Sequence, residues 1–288
     1  MIEKILAWYD TCGRDLPWRR PGTTPWEVLL CEVMSQQTPV ARVIPAWESW
    51  RRRWPTPADL AEASEADVLR AWDRLGYPRR ALRLRECARV ITMRHAGRVP
   101  SGMEELLALP GIGPYTAGAV RAFGFGKRAL VLDTNIRRVL ARLGGRALPP
   151  PSLTKAEEAL ARDLLPSDDA RSARWNQAIM ELGALVCTAR TPTCGSCPVA
   201  AECRWREADY PADEHAGRRR SQAWEGTARQ ARGMIMAVLR ERTSADVAEL
   251  RGMLGDHPRT EEALDGLVAD GLAVASGTRL YLAGSLIP

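Results

Sequence analysis

Four of the seven cysteines in the sequence lie close together, and a thiol is a potential metal ligand. They fall within 17 residues, and the gaps between successive members are six, two and five residues: Cys187, Cys194, Cys197 and Cys203. Clustered thiols in a protein that is not exported bind metal more often than they form disulfides. Zinc sites usually contain two close cysteine pairs, whereas only the middle two cysteines form one here. The spacing therefore indicates a metal site and does not say which metal.

Two acidic residues stand in segments where a carboxyl group could act in catalysis. Glu32 lies in an apolar helical segment, and its neighbours at three and four positions are uncharged: Val28, Leu29, Ser35 and Gln36. Burial without a local cation would raise the pKa of this carboxyl toward that of a general acid; a long-range ion pair with an arginine is the alternative. Asp133 precedes a helical pattern, where an aspartate is typically the N-cap.

A segment rich in glycine and proline, Leu109-Pro-Gly-Ile-Gly-Pro-Tyr-Thr-Ala117, lies between two helical patterns. Gly111 and Gly113 allow a tight turn and let the backbone approach a phosphate group closely. The helix that follows presents unpaired N–H groups at its N-terminus, and these attract anions. The segment predicts either a phosphate-binding hairpin or a plain turn between helices.

Positive charge is in excess. The sequence has 41 basic and 35 acidic residues, a formal charge of +6, which favours a polyanionic partner. Five arginines fall within residues 74–85, where Tyr77 follows a glycine at a predicted helix break. Arginines on phosphates, with an aromatic side chain able to enter between bases, suit a protein that bends DNA and extrudes a base. The alternative is a solvated helix face with Tyr77 in the core.

These residues must be positioned mainly by helices. Patterns of helical period run through the first 210 residues, for example over 58–72, 79–95 and 103–109, and none alternates as a strand does. No apolar run approaches the roughly 18 residues of a membrane span. The N-terminal residues carry charge and no long apolar stretch, so we expect neither a membrane protein nor a secretory signal.

The C-terminal part has a different pattern. A polar stretch with proline and glycine, 210–221, predicts a linker. Beyond it the sequence predicts a hairpin that turns at Ser276 and Gly277, preceded by three helices over 227–241, 244–254 and 260–269. Three helices followed by a hairpin resemble a small winged helix.

Ordered motifs between residues 5 and 206 resemble those of adenine DNA glycosylases of the MutY type, in the helix-hairpin-helix superfamily that includes endonuclease III. The motifs are Leu16-Pro-Trp-Arg19, Glu32-Val-Met-Ser-Gln-Gln-Thr38, Leu75-Gly-Tyr77, the hairpin, Leu132-Asp-Thr-Asn135, Asn176-Gln-Ala178, Leu182-Gly-Ala184 and the four cysteines. They cover about two-thirds of the chain. The chain resembles the actinobacterial members in particular through Leu-Gly-Tyr-Pro-Arg-Arg and a short tail.

The resemblance implies an all-α glycosylase fold with a small C-terminal tail. The implied division is a six-helix domain with the helix-hairpin-helix (22–137), an iron–sulfur domain (1–21 and 138–206), a linker (207–226) and a winged-helix-like domain (227–288). The four cysteines would hold a [4Fe–4S] cluster. The partner would be double-stranded DNA with an 8-oxoguanine·adenine mispair, whose adenine flips into the cleft between the first two domains. We expect a monomer in the cytoplasm, associated with the nucleoid.

The activity implied is excision of adenine opposite 8-oxoguanine or guanine. Glu32 would protonate N7 of adenine, and Asp133 would stabilise the oxocarbenium-like sugar while capping its helix. Asn135 and Tyr115 would orient the acids and the intermediate. The implied DNA contacts are Gln36, Gln37, Tyr77, Arg79, Arg80, Gly111, Gly113 and Thr116. Bifunctional relatives carry a lysine at the position of Tyr115, so the resemblance implies a glycosylase without strong lyase activity.

Two other functions are compatible with the sequence. Removal of thymine from G·T mispairs is the enzymatic alternative, and a DNA-binding protein that has lost catalysis is the other. Cys31, Ser35 and Pro78 depart from the family pattern. The tail is too short and too helical for the β-domain that recognises 8-oxoguanine in many relatives. Recognition of the damaged base would then rest on the catalytic half or on the tail.

Overall fold

Short helices separated by turns make up most of the structure, a computed structural model that describes residues 1–218 and 224–287. Several begin at a Ser, Thr or Asp whose side chain accepts a hydrogen bond from the N–H three residues on, as at Ser64, Asp133 and Thr227. The helices are α1 (Ile2–Cys12), α2 (Pro25–Ser35), α3 (Val40–Arg53), α4 (Pro57–Glu62), α5 (Glu65–Trp72), α6 (Arg79–Arg94), α7 (Met103–Leu107), α8 (Pro114–Ala119), α9 (Thr134–Leu143), α10 (Lys155–Asp163), α11 (Asp169–Leu185), α12 (Arg204–Glu207), α13 (Ala228–Arg242), α14 (Val247–Leu254) and α15 (Thr260–Ala269). Along the described chain, no helix is long and apolar enough to cross a bilayer.

One compact unit, unit 1, comprises Met1–Leu29, Ser101–Leu107 and Ile112–Arg220. Its helices α1 and α9 both pack against α11. The buried core that joins them contains Ile5, Ile136, Leu140, Ile179 and Leu182. Burial of these apolar side chains holds α9 and α11 together.

The second compact unit, unit 2, comprises Leu30–Pro100, Ala108–Gly111 and Ser221–Pro288. Trp47, Trp50 and Trp72 have no exposed surface, and the rings of Trp50 and Trp72 meet edge-on at 5.4 Å. This grouping joins the tail to the middle of the chain and differs from the four-part division given above, whose bounds remain a prediction. The predicted linker includes 219–223, which lie outside the described residues.

The tail combines three helices with a small antiparallel sheet. Its order is α13, β1 (Ser244–Asp246), α14, α15, β2 (Ala273–Ser276) and β3 (Arg279–Leu282), and β3 is the central strand. The predicted hairpin forms, but its two turn residues are Gly277, which has a φ of +56°, and Thr278. Strand β1 was predicted as the start of a helix, because three residues are too few for alternation to show; it forms by pairing with β3.

The tail packs tightly on α5 and α6. Ala66 and Leu69 of α5 belong to the same buried cluster as Leu239 and Leu282 of the tail, and Leu82 of α6 packs against that cluster. Gly284 comes so close to α5 that an added Cβ would lie 2.7 Å from Glu65 Cβ and 3.0 Å from the nitrogen of Ala66. The tail is therefore part of one hydrophobic core with this region.

Candidate active site

Asp133 is held by both of its carboxylate oxygens. It is the N-cap of α9, where Oδ1 accepts a hydrogen bond from Ile136 N at 2.7 Å. Oδ2 accepts one from Asn135 Nδ2 at 2.6 Å. Burial raises the pKa of Asp133, while the hydrogen bonds from Ile136 and Asn135 oppose that rise. The structure thus brings Asp133 and Asn135 together, and it fixes the direction of the carboxyl group.

Arg138, one turn along α9, fixes Asn135 in turn. Its guanidinium donates from Nη2 to Asn135 Oδ1 at 2.7 Å and to Gly183 O at 2.6 Å, and from Nε to Cys187 O at 2.6 Å. The residue is 8% exposed, and desolvation lowers its pKa. Sequence reasoning did not single out Arg138, because its neighbour Arg137 is chemically identical and only the fold decides which arginine points inward.

Helix α11 approaches Asn135 very closely at Gly183. A Cβ added there would lie 2.7 Å from Asn135 Cβ and 2.8 Å from Asn135 O. Any side chain would therefore displace Asn135 and, through it, the second oxygen of Asp133. A glycine inside a helical pattern is the sequence signal that could have indicated this close approach.

The four predicted metal ligands, Cys187, Cys194, Cys197 and Cys203, lie after α11, half-buried and free of disulfides. Arg142, which is 3% exposed, donates from Nη1 to Cys187 Sγ at 3.2 Å. Its guanidinium also lies over the ring of Trp205, 4.4 Å from the centroid. A cation that donates to sulfur stabilises a thiolate.

The four thiols lie close enough for three of them to affect the pKa of Cys197, but they do not form a closed metal site. Burial raises the pKa of Cys197, and the charges of the other three cysteines raise it further. Within residues 1–218 and 224–287, no group of three or more His, Cys, Asp or Glu side chains is gathered closely enough to hold a metal ion. Four neighbouring thiols beside an arginine are nevertheless a donor set that suits a thiolate-bound iron–sulfur group.

Glu32 is buried, as its apolar neighbours predicted, with 8% of its surface exposed. Cys31 and Ser35, on the same helix, are two of the positions that depart from the family pattern. Their Sγ and Oγ atoms lie 3.7 Å apart. Glu32 belongs to unit 2, whereas Asp133, Asn135 and Tyr115 belong to unit 1. Tyr115 is half-buried and packs on the core of unit 1.

Arg80 holds the two turns of unit 2 that carry predicted DNA contacts, Gln36 and Gln37 after α2 and Tyr77 before α6. Its guanidinium donates to five backbone carbonyl oxygens, those of Val33 at 2.8 Å, Met34 at 3.5 Å, Gln36 at 2.5 Å, Leu75 at 2.9 Å and Gly76 at 3.0 Å. Burial lowers the pKa of Arg80 to about 10. These donors serve the protein's own backbone, so the geometry favours a positioning role over a phosphate contact.

Both turns contain left-handed backbone. Gln37 has a φ of +58° and Tyr77 a φ of +48°, which side-chain-bearing residues rarely adopt. Tyr77 is 45% exposed even though its ring is large and aromatic. Strained residues held by their surroundings cluster at functional sites. Arg79 follows on the surface and pairs with Asp270 of the tail at 2.9 Å.

The predicted hairpin lies between α7 and α8. Gly111 has a φ of +77°, and a Cβ there would lie 3.3 Å from Arg83 Cβ, so glycine is required by both conformation and space. Gly113 is the N-cap of α8. Thr116 is only 3% exposed, so its side chain is not presented to solvent and any contact there would use its backbone N–H.

The sequence and fold are similar to those of known DNA repair proteins. The model of the HhH-GPD superfamily of base excision DNA repair proteins matches residues 30–163. The adenine DNA glycosylase of Mycobacterium tuberculosis is 50% identical over 93% of this chain and 88% of its own length. That of Mycolicibacterium smegmatis is 48% identical over 98% of this chain and 95% of its own length.

A solved structure of a DNA glycosylase is also similar to this chain. A thermostable thymine-DNA glycosylase superimposes with a TM-score of 0.65 at 30% identity, over 72% of this chain and 95% of that one. The mycobacterial relatives have the higher identity and match nearly all of this chain. The chain therefore belongs to the adenine DNA glycosylase family, within the HhH-GPD superfamily of base excision DNA repair proteins.

Proposed function

We propose that the chain excises adenine paired with 8-oxoguanine or guanine in double-stranded DNA, as a monofunctional glycosylase. Membership of the family supports a DNA N-glycosylase of base excision repair. The observation that carries the proposal is Asp133, a carboxylate fixed by hydrogen bonds to Ile136 and Asn135. A fixed anion at the start of a helix is suited to stabilising positive charge that develops on a sugar.

Two carboxyl groups would divide the chemistry. Breaking the N-glycosidic bond leaves the electron pair on adenine and positive charge on the deoxyribose. Glu32, which is buried, would give a proton to N7, so that adenine leaves as a neutral base. The Asp133 carboxylate would oppose the charge on the sugar until water adds and gives up a proton to the Glu32 carboxylate. This division between an acid and an anion is that of glycoside hydrolases.

Strand cleavage would need an amine that attacks the sugar and forms a Schiff base. Tyr115 stands in the hairpin at the position of that amine, and the three lysines of the chain are elsewhere: Lys4, Lys127 and Lys155. A phenol cannot form a Schiff base, which supports a monofunctional enzyme. Asn135 would hold the Asp133 carboxylate, and Tyr115 would contact the sugar.

DNA would meet two surfaces of the chain. In unit 2, Gln36, Gln37, Tyr77 and Arg79 would contact the mispair and its flanking backbone, with Arg80 holding their turns. At the hairpin, the backbone N–H groups near Gly111, Gly113 and Thr116 would bind phosphate oxygens. The excess of arginine supports such an interface.

Cys187, Cys194, Cys197 and Cys203 would hold a [4Fe–4S] cluster. When bound, such a cluster supplies four iron–thiolate links that cross-brace the segment after α11. Arg142 would donate to the Cys187 sulfur, as it does in the structure at 3.2 Å. Analysis of anaerobically purified protein is expected to find about four iron and four sulfide per chain, and zinc in their place would contradict this assignment.

We propose that the rest of the chain is organised as the resemblance implies. The element order of the tail and its central β3 support a winged-helix-like module. We propose four functional divisions: a six-helix domain over 22–137, an iron–sulfur domain over 1–21 and 138–206, a linker over 207–226 and a winged-helix-like domain over 227–288. We propose a monomer that acts in the cytoplasm on nucleoid DNA.

Single-turnover excision on three duplexes tests the substrate. They carry adenine opposite 8-oxoguanine, adenine opposite guanine and thymine opposite guanine, and alkali converts abasic sites to strand breaks. We expect breaks at adenine, fastest opposite 8-oxoguanine, and none without alkali. Breaks at thymine alone would replace the substrate, and efficient borohydride trapping would contradict the monofunctional assignment.

A further inference from the structure

The tail and the Tyr77 turn share one exposed surface. Arg229, in the first turn of α13, donates from Nη1 to the Tyr77 hydroxyl at 3.0 Å. The same guanidinium lies over the ring of Trp224, 5.0 Å from its centroid. Tyr77 and Trp224 are 45% and 52% exposed. We call Tyr77, Trp224 and Arg229 the aromatic–arginine patch.

The patch is held by local hydrogen bonds at the start of α13. Thr227 caps the helix by accepting from Gln230 N, and its hydroxyl donates to Trp224 O at 2.8 Å. Gly226 N donates to Gln230 Oε1 at 2.8 Å. These bonds fix the backbone that carries Trp224. A large aromatic side chain kept exposed on an ordered backbone is typical of a binding surface.

The tail is anchored on both sides of this patch. Arg240 donates to Asp73 O at 2.7 Å, and Arg70 donates to Thr243 Oγ1 at 2.9 Å. Asp270 accepts from both Arg79 and Arg232. Together with the shared hydrophobic core around Leu69, these contacts keep Arg229 beside Tyr77.

Charge indicates which side of the tail can meet DNA. In a helix-turn-helix the second helix usually enters the major groove, and in this tail that helix would be α15. Its ten residues contain three acids and no arginine or lysine, so it would be repelled by phosphates. Helix α13 instead contains four arginines and one glutamate. Its first turn is the part of the tail that suits a polyanion.

We propose that the aromatic–arginine patch binds the DNA strand opposite the excised adenine, with Trp224 stacking on a base and Arg229 on a phosphate. The proposal rests on the proposed function and deepens it, because it assigns the tail a part in holding the mispair. Aromatic rings supply stacking surfaces for bases, and an arginine between them supplies charge. The tail would then act through α13, and not through the helix that a winged helix commonly inserts.

Binding to a duplex with 8-oxoguanine opposite a 2′-fluorinated adenosine, whose glycosidic bond resists cleavage, tests the patch. Arg229→Ala is expected to weaken binding roughly tenfold and to lower the slope of log Kd against log salt by about one. Trp224→Ala is expected to weaken it roughly tenfold through lost stacking. Arg242→Ala is the matched control, because it removes the same charge from the far end of the same helix, about 20 Å away.

The strand is identified with 2-aminopurine, whose fluorescence is quenched by stacking. Placed beside 8-oxoguanine it should be quenched on binding by the wild type and not by Trp224→Ala, while a label in the adenine strand should respond equally to both. Melting temperatures verify that each variant is folded.

The outcomes separate the two proposals. If Arg229→Ala and Arg242→Ala weaken binding equally, the effect is general charge and the patch proposal is wrong. It is also wrong if wild type excises adenine and both patch variants bind as wild type does. If wild type excises no adenine from any duplex, it is the proposed function that fails.

Discussion

Two arginines, one in each unit, hold predicted functional residues in different ways. Arg138 in unit 1 bonds the side chain of Asn135, which bonds Asp133, so that a particular carboxylate oxygen is fixed. Arg80 in unit 2 bonds carbonyl oxygens, including those of Gln36 and Gly76, so that the two turns are fixed while the side chains of Gln37 and Tyr77 are exposed. Both guanidinium groups have pKa values lowered by burial.

The difference matches the tasks proposed for the two regions. An atom that must oppose a developing charge works best when its hydrogen bonds already direct it, since no reorganisation is then needed. A surface that must stack on bases needs exposed side chains on a rigid backbone. Substitutions around Asp133 in unit 1 should therefore change the rate of bond cleavage, and those in the unit 2 turns should change binding.

Of the substitutions considered, Asp133→Asn is expected to change the excision rate most while leaving DNA binding unchanged. Asparagine is as good an N-cap as aspartate, so the helix should be retained while the negative charge is lost. We expect single-turnover excision to fall by about 100- to 1,000-fold, with DNA affinity unchanged. Binding and excision measured on the same duplex test this, and equal excision by variant and wild type would remove Asp133 from the mechanism.

Gly183→Ala tests how finely Asn135 must be placed. The new methyl group would collide with Asn135, so we expect a loss of roughly 1–3 kcal/mol in the free energy of unfolding and up to about 100-fold in excision. The control is Gly252→Ala, a helical glycine whose Cβ would have nothing within 4 Å. That variant should keep full activity and gain about 0.5–1 kcal/mol. If both alanine variants behave alike, the contact between α11 and Asn135 has no role.

Arg80→Lys tests whether Arg80 holds the two turns of unit 2 that are proposed to bind DNA. Lysine has three donors on one nitrogen and cannot reach carbonyl oxygens from two turns as the planar guanidinium does. We expect a loss of about 2 kcal/mol in stability and weaker DNA binding, with the excision rate at saturating enzyme unchanged. Arg94→Lys, an exposed position on the same helix, is the control. A fall in the saturated rate without a change in affinity would reverse the assignment.

Asn135→Ala should move the pH dependence of excision. The Asn135 amide lowers the pKa of Asp133, while burial raises it more. Without the amide the carboxyl keeps its proton to a higher pH, and a protonated Asp133 cannot stabilise the sugar cation. The acid limb of the single-turnover profile should therefore shift to higher pH, with the alkaline limb in place. A shift to lower pH would contradict the hydrogen bond's role.

Local spacing predicted some of these features and not others. Asp133 as an N-cap and the Gly111 turn were evident because each depends on residues within one helical turn. The single helix expected over 58–72 is two helices, α4 and α5, because Ser64 caps the second by accepting from Asp67 N. That signal was local and could have been used.

Other features depend on partners distant in sequence. Strand β1 exists only beside β3, and Gly183 matters only because α11 crosses α9 at Asn135. Nothing local distinguishes Arg80 from Arg79, although one faces the interior and the other the surface. The contact between Arg229 and Tyr77 joins residues 152 positions apart, which a single sequence does not show.

The shared core of the tail and α5 has a consequence for shortened forms of the chain. A premature stop between residues 204 and 227 would leave the predicted acids, the hairpin and all four cysteines in the product. It would also remove Leu239, Leu282 and the other tail side chains that share a buried cluster with Leu69. The apolar surface around Leu69 would then be exposed, which favours aggregation. A truncated allele would thus be lost through misfolding of unit 2, although its catalytic residues were all translated.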